Sequence, residues 1–257
     1  SKILKAHRGK LPEDVHAVFA NTGKEAPETL DFVKDCSEKF NVKIHWVEHY
    51  YGPERPIHRT KEVTYETASR NGESFERLID HRGLLPNPAN RMCTSELKIK
   101  VMQRFMRKIM GYKTWSTAIG LRYDEPRRVA SSKRANNYES WTNITPIYDA
   151  KHTVKDVTKF WEKQNFDLKL VNQDGKTPAG NCDLCFLKGM KTINSILQER
   201  PEMADWWINQ EKKFPGQTGG KFRINRPDYI QLLDISKQDD QKINDIEDDQ
   251  MTCFCHD

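Results

Sequence analysis

The sequence has no long apolar run, no legible secretory leader and no internal repeat. The first lack excludes a membrane-spanning helix, which needs about 20 consecutive apolar residues. The second leads us to expect a cytoplasmic protein, and the third excludes solenoids and propellers. Intrinsic disorder is excluded too, because 257 residues of which 36% are hydrophobic can bury a sizeable core. In a reducing compartment we expect the six cysteines to be ligands or catalytic thiols and not disulfides.

Charge is present but unevenly placed. The chain carries a net +5, yet residues 234–250 hold seven acids and two lysines, and Ser1–Leu233 is left with 40 basic and 29 acidic residues. A basic body suits a phosphorylated nucleotide or a nucleic acid, and it equally suits a solvated surface with a positive bias.

The most organised stretch is Val18 to Phe32. An apolar strand turns at Asn21-Thr22-Gly23 and enters a helix at Pro27. Proline suits the first helical position, where its missing N–H goes unpaired in any case, and Glu28 suits the positive first turn. Such a strand–turn–helix aims backbone N–H groups at an anion above the strand's carboxyl end. Lys43–His49 reads as a second strand covered on both faces, and Trp115–Leu121 as a third. Thr94 or Ser95 is the expected N-cap of a helix carrying Leu97, Val101, Phe105 and Ile109. Thr153 to Glu162 reads as a helix with Val154, Val157 and Trp161 inward, and Pro201 to Phe214 as another burying Trp206 and Trp207.

The segment Thr22-Gly-x-x-x-Pro27-Glu-Thr-Leu30-x-Phe32 resembles the corresponding segment of the phosphoadenosine phosphosulfate (PAPS) reductase family, with Asn21 where that family often has Asp. Gly120-Leu-Arg122-Tyr-Asp124-Glu125-Pro-Arg127-Arg128 resembles a second family segment, and Arg91-Met-Cys93 through Lys98 a third. The resemblance implies an α/β fold with an open, mainly parallel Rossmann-like sheet of the adenine nucleotide alpha-hydrolase-like kind. It places a nucleotide-binding part over residues 1–150 and a helical, cysteine-bearing part over 151–257. It implies Asn21, Thr22, Gly23, Arg91, Lys98, Arg122, Asp124 and Arg128 as contacts to an adenine nucleotide: PAPS, APS or ATP. The family's glycine-rich phosphate loop and first strand are expected ahead of Ser1.

Gly180-Asn-Cys182-Asp-Leu-Cys185 brings two thiols close enough to share a metal or form a redox disulfide. Two sets are expected. Cys93, Cys182, Cys185 and Cys253 would hold a four-iron, four-sulfur (iron–sulfur) cluster, or Cys182, Cys185, Cys253 and Cys255 would hold structural zinc. Cys36 is expected to be a small core residue. The resemblance also implies a catalytic thiolate, here Cys255 beside His256, regenerated by a thioredoxin-type donor. The implied activity is reductive sulfur chemistry on an adenylated substrate. Its alternatives are an ATP-dependent sulfurtransferase and a zinc-stabilised nucleic-acid-binding module. The basic, aromatic run Gly219–Tyr229 would stack bases in the last case and pack the second lobe otherwise.

Overall fold

The computed structural model describes residues 2–51, 59–136, 141–172, 177–216, 220–238 and 251. The chain begins with α1 (Lys2–Ala6), closed by the left-handed Gly9, whose N–H donates to the Leu4 carbonyl at 2.7 Å. It then makes a β–α–β unit of β1 (Ala17–Asn21), α2 (Pro27–Lys39) and β2 (Ile44–His49). The strands are parallel, with Ala17 opposite Ile44 and Asn21 opposite Glu48. Pro27 opens α2 as expected, because its fixed φ is already helical. On the far edge of β2, β3 (Thr60–Val63) runs antiparallel.

Alternation along β2 fills both faces of this sheet. Trp46 packs with Leu30 and Ala68 on one side, and Val47 packs with Val101 and Phe105 on the other. The helix α3 (Glu73–Arg82) follows and ends at the left-handed Gly83, whose N–H caps the Ile79 carbonyl.

Residues 92–109 form one helical run in three pieces: π-helical turns at Cys93–Ile99, the α-helical α4 (Lys100–Arg104), and π-helical turns at Phe105–Ile109. The helix starts ahead of the expected cap at Thr94 or Ser95, and both residues lie inside it. The Ser95 hydroxyl donates back to the Met92 carbonyl at 3.2 Å, the habit of an interior serine and not of a cap.

The second sheet is β4 (Trp115–Ala118) parallel to β5 (Trp141–Ile144), joined through α5 (Pro126–Ala135). The expected longer strand ends at Ala118 with one further ladder bond, from the Ile119 N–H to the Ile144 carbonyl at 2.9 Å, and Ile119 and Leu121 pack with Val129 and Tyr148 in a local cluster. The expectation of a single open sheet is thus met in part. The chain is α/β with parallel crossovers, but among the described residues its strands fall into a mixed three-stranded sheet and a parallel two-stranded one.

After α6 (Pro146–Asp149), α7 (Val154–Trp161) is capped by Thr153 and Asp156 in a reciprocal box. Trp161 meets Phe32 at 5.0 Å between ring centroids, which docks α7 on α2. The later elements among the described residues are helices: α8 (Met190–Glu199), a 3₁₀ turn (Pro201–Met203), α9 (Ala204–Lys212) and α10 (Tyr229–Ser236). The largest apolar cluster crosses from the first half to the second, uniting Phe75 and Leu78 of α3 with Leu184, Trp207, Phe222 and Tyr229.

Candidate functional site

The carboxyl end of β1 is a closed hydrogen-bond network. Asn21 is fully buried, and its Nδ2 donates to Glu48 Oε1 at 2.7 Å and to the Ser69 carbonyl at 2.8 Å. Glu48, also fully buried, further accepts from Ser69 N–H at 2.6 Å and the Ser69 hydroxyl at 2.9 Å, and pairs with Lys61 at 3.4 Å. Asn suits this position where an Asp would set a second carboxylate against Glu48.

The turn that follows is satisfied from within the chain. Thr22 N–H donates to Glu25 Oε2 at 3.0 Å, Gly23 N–H to Asn21 Oδ1 at 3.2 Å, and Lys24 N–H to Thr22 Oγ1 at 3.2 Å. The Glu25 carboxylate therefore stands where the sequence pattern leads one to expect an external anion. Gly23 is left-handed at φ 81°, and a Cβ there would lie 3.1 Å from the Ser69 Cβ. Gly72 is left-handed too, and a Cβ on it would come within 2.3 Å of Trp206 Nε1.

The cysteine turn is clasped onto this network. Lys24 Nζ meets Asp183 Oδ2 at 2.8 Å, Asp183 N–H donates to the Lys24 carbonyl at 2.8 Å, and Glu25 forms an antiparallel bridge with Cys182. Asp183 Oδ1 also accepts from Trp207 Nε1 at 2.8 Å and from Leu184 N–H at 2.7 Å. Thr22 Oγ1 lies 3.6 Å from Cys182 Sγ.

Between these elements is a cavity of about 20 Å³ whose walls include Thr22, Cys93, Lys98, Cys182, Cys185 and Trp207. Five residues singled out from the sequence, three thiols, a lysine and a turn threonine, thus share one space. The buried Lys98 ammonium also lies 3.4 Å from Asn181 Oδ1. Soft thiol donors suit zinc or an iron–sulfur group. Among the described residues, however, no three His, Cys, Asp or Glu side chains stand close enough together to hold a metal ion. Cys253 and Cys255, expected to complete the set, lie outside the described residues. The last described point is Met251, whose N–H donates to the Leu187 carbonyl at 2.9 Å, beside the cysteine turn.

The other expected contacts form a separate group. Arg122, on the loop after β4, donates from Nε to Asp124 Oδ1 at 3.2 Å and from its N–H to Glu125 Oε2 at 3.0 Å, and Glu125 pairs with Arg128 as well. None of these lines the cysteine cavity, nor does Arg91, whose Nε donates to the Pro88 carbonyl at 3.2 Å. The basic, aromatic run before α10 belongs to the core: Phe222, Arg223, Arg226 and Tyr229 are all buried, so it offers no surface for stacking bases. Cys36 is half-buried in α2, where burial pushes its thiol up to about 11, as befits a packing residue.

Glu25, Glu48 and Asp183 are not singled out in the sequence, and Trp207 is read there only as a buried helix residue. Asp183 sits inside the Cys-x-x-Cys turn, and that position was the one available signal for it.

These features define an α/β protein whose strand-end turn and cysteine turn enclose a small thiol-lined cavity. Residues 5–177 match the phosphoadenosine phosphosulfate reductase domain, and the chain belongs to that family. It is 25% identical over 196 residues to an uncharacterized nin region protein of Escherichia phage lambda, covering 74% of this chain and 62% of that protein. It is 22% identical over 208 residues to an uncharacterized protein of Methanocaldococcus jannaschii, covering 80% of this chain and 43% of that one. The chain therefore spans less than two thirds of the length of either relative. No solved structure matches it. No helix among the described residues is long and apolar enough to cross a membrane.

Proposed function

We propose that the protein binds an adenine sulfonucleotide of the PAPS or APS type and carries out reductive sulfur chemistry at the cysteine-lined cavity. The observation that carries this reading is the convergence of Cys93, Cys182 and Cys185 with Lys98 and Thr22 around one space, in a chain of the PAPS reductase domain family. A lysine cation on the wall of the same cavity attracts a sulfate or phosphate group. Arg122 and Arg128, held by Asp124 and Glu125, supply further guanidinium donors past the carboxyl end of β4.

Cys255 is the nucleophile in this reading. Its thiolate attacks the sulfonucleotide sulfur; an S–S bond forms as the S–O bond breaks, and the nucleotide leaves as its phosphate. A thioredoxin-type dithiol then attacks the Cys255 sulfur, sulfite departs, and the resulting mixed disulfide is resolved by the donor's second thiol. We propose Cys93, Cys182 and Cys185, with Cys253 as fourth ligand, as the residues that would hold an iron–sulfur cluster; the three described thiols are not within reach of a single ion, so the set would close only around the larger group and with Cys253 in place. The alternative is structural zinc held by Cys182, Cys185, Cys253 and Cys255, which would make Cys255 a ligand and not the nucleophile.

The test is equilibrium binding of PAPS, APS and ATP, together with sulfite release in the presence of a dithiol. The reading expects a sulfonucleotide to bind and sulfite to appear, with Cys255→Ser abolishing release but not binding. Binding of ATP with pyrophosphate release, and none of the sulfonucleotides, would replace it with a sulfurtransferase.

A further inference from the structure

His49 ends β2 at the carboxyl edge of the first sheet, its side chain on the face opposite Glu48. It is fully buried, yet among the described residues neither ring nitrogen has a hydrogen-bond partner. Tyr51 Oη and Arg104 Nη1 are likewise buried and unpaired. Folded interiors pair the large majority of such side-chain atoms, so four on three neighbouring residues is a concentration that packing alone does not explain.

The three side chains are held in place. The Tyr51 ring lies edge-on to His49 at 4.5 Å between centroids and stacks on His81 at 4.1 Å, with the Arg59 guanidinium 5.2 Å from its centre. Arg104 is anchored through Nη2 to Glu96 Oε2 at 3.0 Å, which leaves Nη1 unmatched. Glu96 also pairs with Arg82 and Lys100, each at 2.9 Å. Three cations, Arg82, Lys100 and Arg104, thus pair with a single carboxylate, and a fourth, Arg59, lies over the Tyr51 ring.

The sign of that charge selects the ligand. Two imidazole nitrogens and a phenol would suit a metal ion, but the surrounding guanidinium and ammonium groups repel one. What the neighbourhood lacks is an acceptor and a negative charge. We propose that His49, Tyr51 and Arg104 form a binding site for a tetrahedral oxyanion of the phosphate class, distinct from the cysteine-lined cavity. The oxyanion accepts from Arg104 Nη1, from the Tyr51 hydroxyl and from the one N–H of a neutral His49, and it offsets the excess of cations around Glu96. The site lies on the edge of an α/β sheet where ligands characteristically bind. It does not depend on the sulfur chemistry proposed above.

The test is thermal unfolding and calorimetric titration of the full chain with inorganic phosphate and, in parallel, with AMP, at matched ionic strength. Tyr51→Phe removes one oxygen and leaves the ring stack intact. The proposal expects phosphate to raise the wild-type melting temperature in a saturable way. Tyr51→Phe without ligand should be at least as stable as wild type, because an unpaired buried hydroxyl is gone, while its phosphate affinity falls roughly tenfold. Arg104→Gln should weaken binding further. If AMP gives the same Tyr51-dependent response, the anion is a nucleotide's phosphoryl group; if inorganic phosphate alone does, it is the free anion. An absent phosphate response, or an equal one in wild type and Tyr51→Phe, would overturn the proposal.

Discussion

The Lys24 ammonium and the Asp183 carboxylate meet at 2.8 Å although they are far apart in the chain, and both are buried. Through this pair the turn after β1 and the Cys182–Cys185 turn become one rigid unit. Asp183 completes the clasp by accepting from Trp207 of α9 and from its own neighbour Leu184. The cavity that gathers three thiols is a consequence of this clasp.

Removing one partner of a buried ion pair leaves the other charge stranded. Asp183→Ala is therefore expected to cost about 3–5 kcal/mol of stability. Replacing both partners, as Lys24→Met with Asp183→Leu, should cost less than the two single changes added together, with a coupling above about 1 kcal/mol. Urea denaturation of the four proteins measures this, and strictly additive losses would show that the clasp is not a unit.

Asn21→Asp reverses the polarity of the site's central hydrogen bond. The Asn21 Nδ2 donor now facing Glu48 Oε1 at 2.7 Å would become a second carboxylate oxygen. We expect a loss of about 2–4 kcal/mol at neutral pH, from like-charge repulsion and a lost donor. The gap to wild type should narrow as the pH falls and one of the two carboxyls takes a proton. A gap that is independent of pH would place the cost elsewhere.

Two buried groups set the acid limb of stability. Burial, aided by the Arg104 charge, lowers His49 from 6.5 to about 4. Between those values the unfolded chain binds the proton that the folded chain refuses, so stability falls as pH drops through this window, by about 3 kcal/mol in all. Above the unfolded value His49 adds no pH dependence. Burial alone would raise the Glu96 carboxyl, but the hydrogen bonds and charges of Lys100 and Arg104 outweigh it and bring it from 4.5 to about 2. Its contribution is full above the unfolded value and is lost as pH falls toward the folded one. Denaturation midpoints measured from neutral to acidic pH should show a shallower decline for His49→Leu than for wild type down to about pH 4. Parallel curves would contradict the assignment.

If Lys98 and Arg122 contact the sugar-phosphate or sulfate of a bound nucleotide, Lys98→Ala and Arg122→Ala should each weaken sulfonucleotide binding by about tenfold or more. Lys237→Ala, on the exposed end of α10, serves as the control. Fluorescence titration would follow the change through Trp207, which lines the same cavity as Lys98. Equal affinities in all three variants would remove both residues from the nucleotide site.

What was legible in the sequence was what local chemistry decides. Pro27 marks the start of α2, the spacing of Val154, Val157 and Trp161 marks α7, and the alternation of Trp46 and Val47 reports a strand covered on both faces. The cysteine turn was picked out by its spacing and Lys98 by the family resemblance, and both line one cavity. What was not legible depends on residues distant in sequence. Nothing local says that Glu25 fills the anion position of its own turn, that Asn21 answers Glu48, or that Lys24 answers Asp183. The π-helical turns from Cys93 were hidden as well, since an apolar spacing near four residues looks the same for a wide turn as for an ordinary one. The break between the two sheets reflects pairing across the fold, which periodicity within a strand does not encode.

The most direct test of the central claim is the metal and acid-labile sulfide content of anaerobically purified protein, measured for wild type and for Cys182→Ser. The account predicts iron with matching sulfide in the wild type and the loss of both in the variant. Stoichiometric zinc without sulfide, or iron and sulfide retained when Cys182 is replaced, would contradict it.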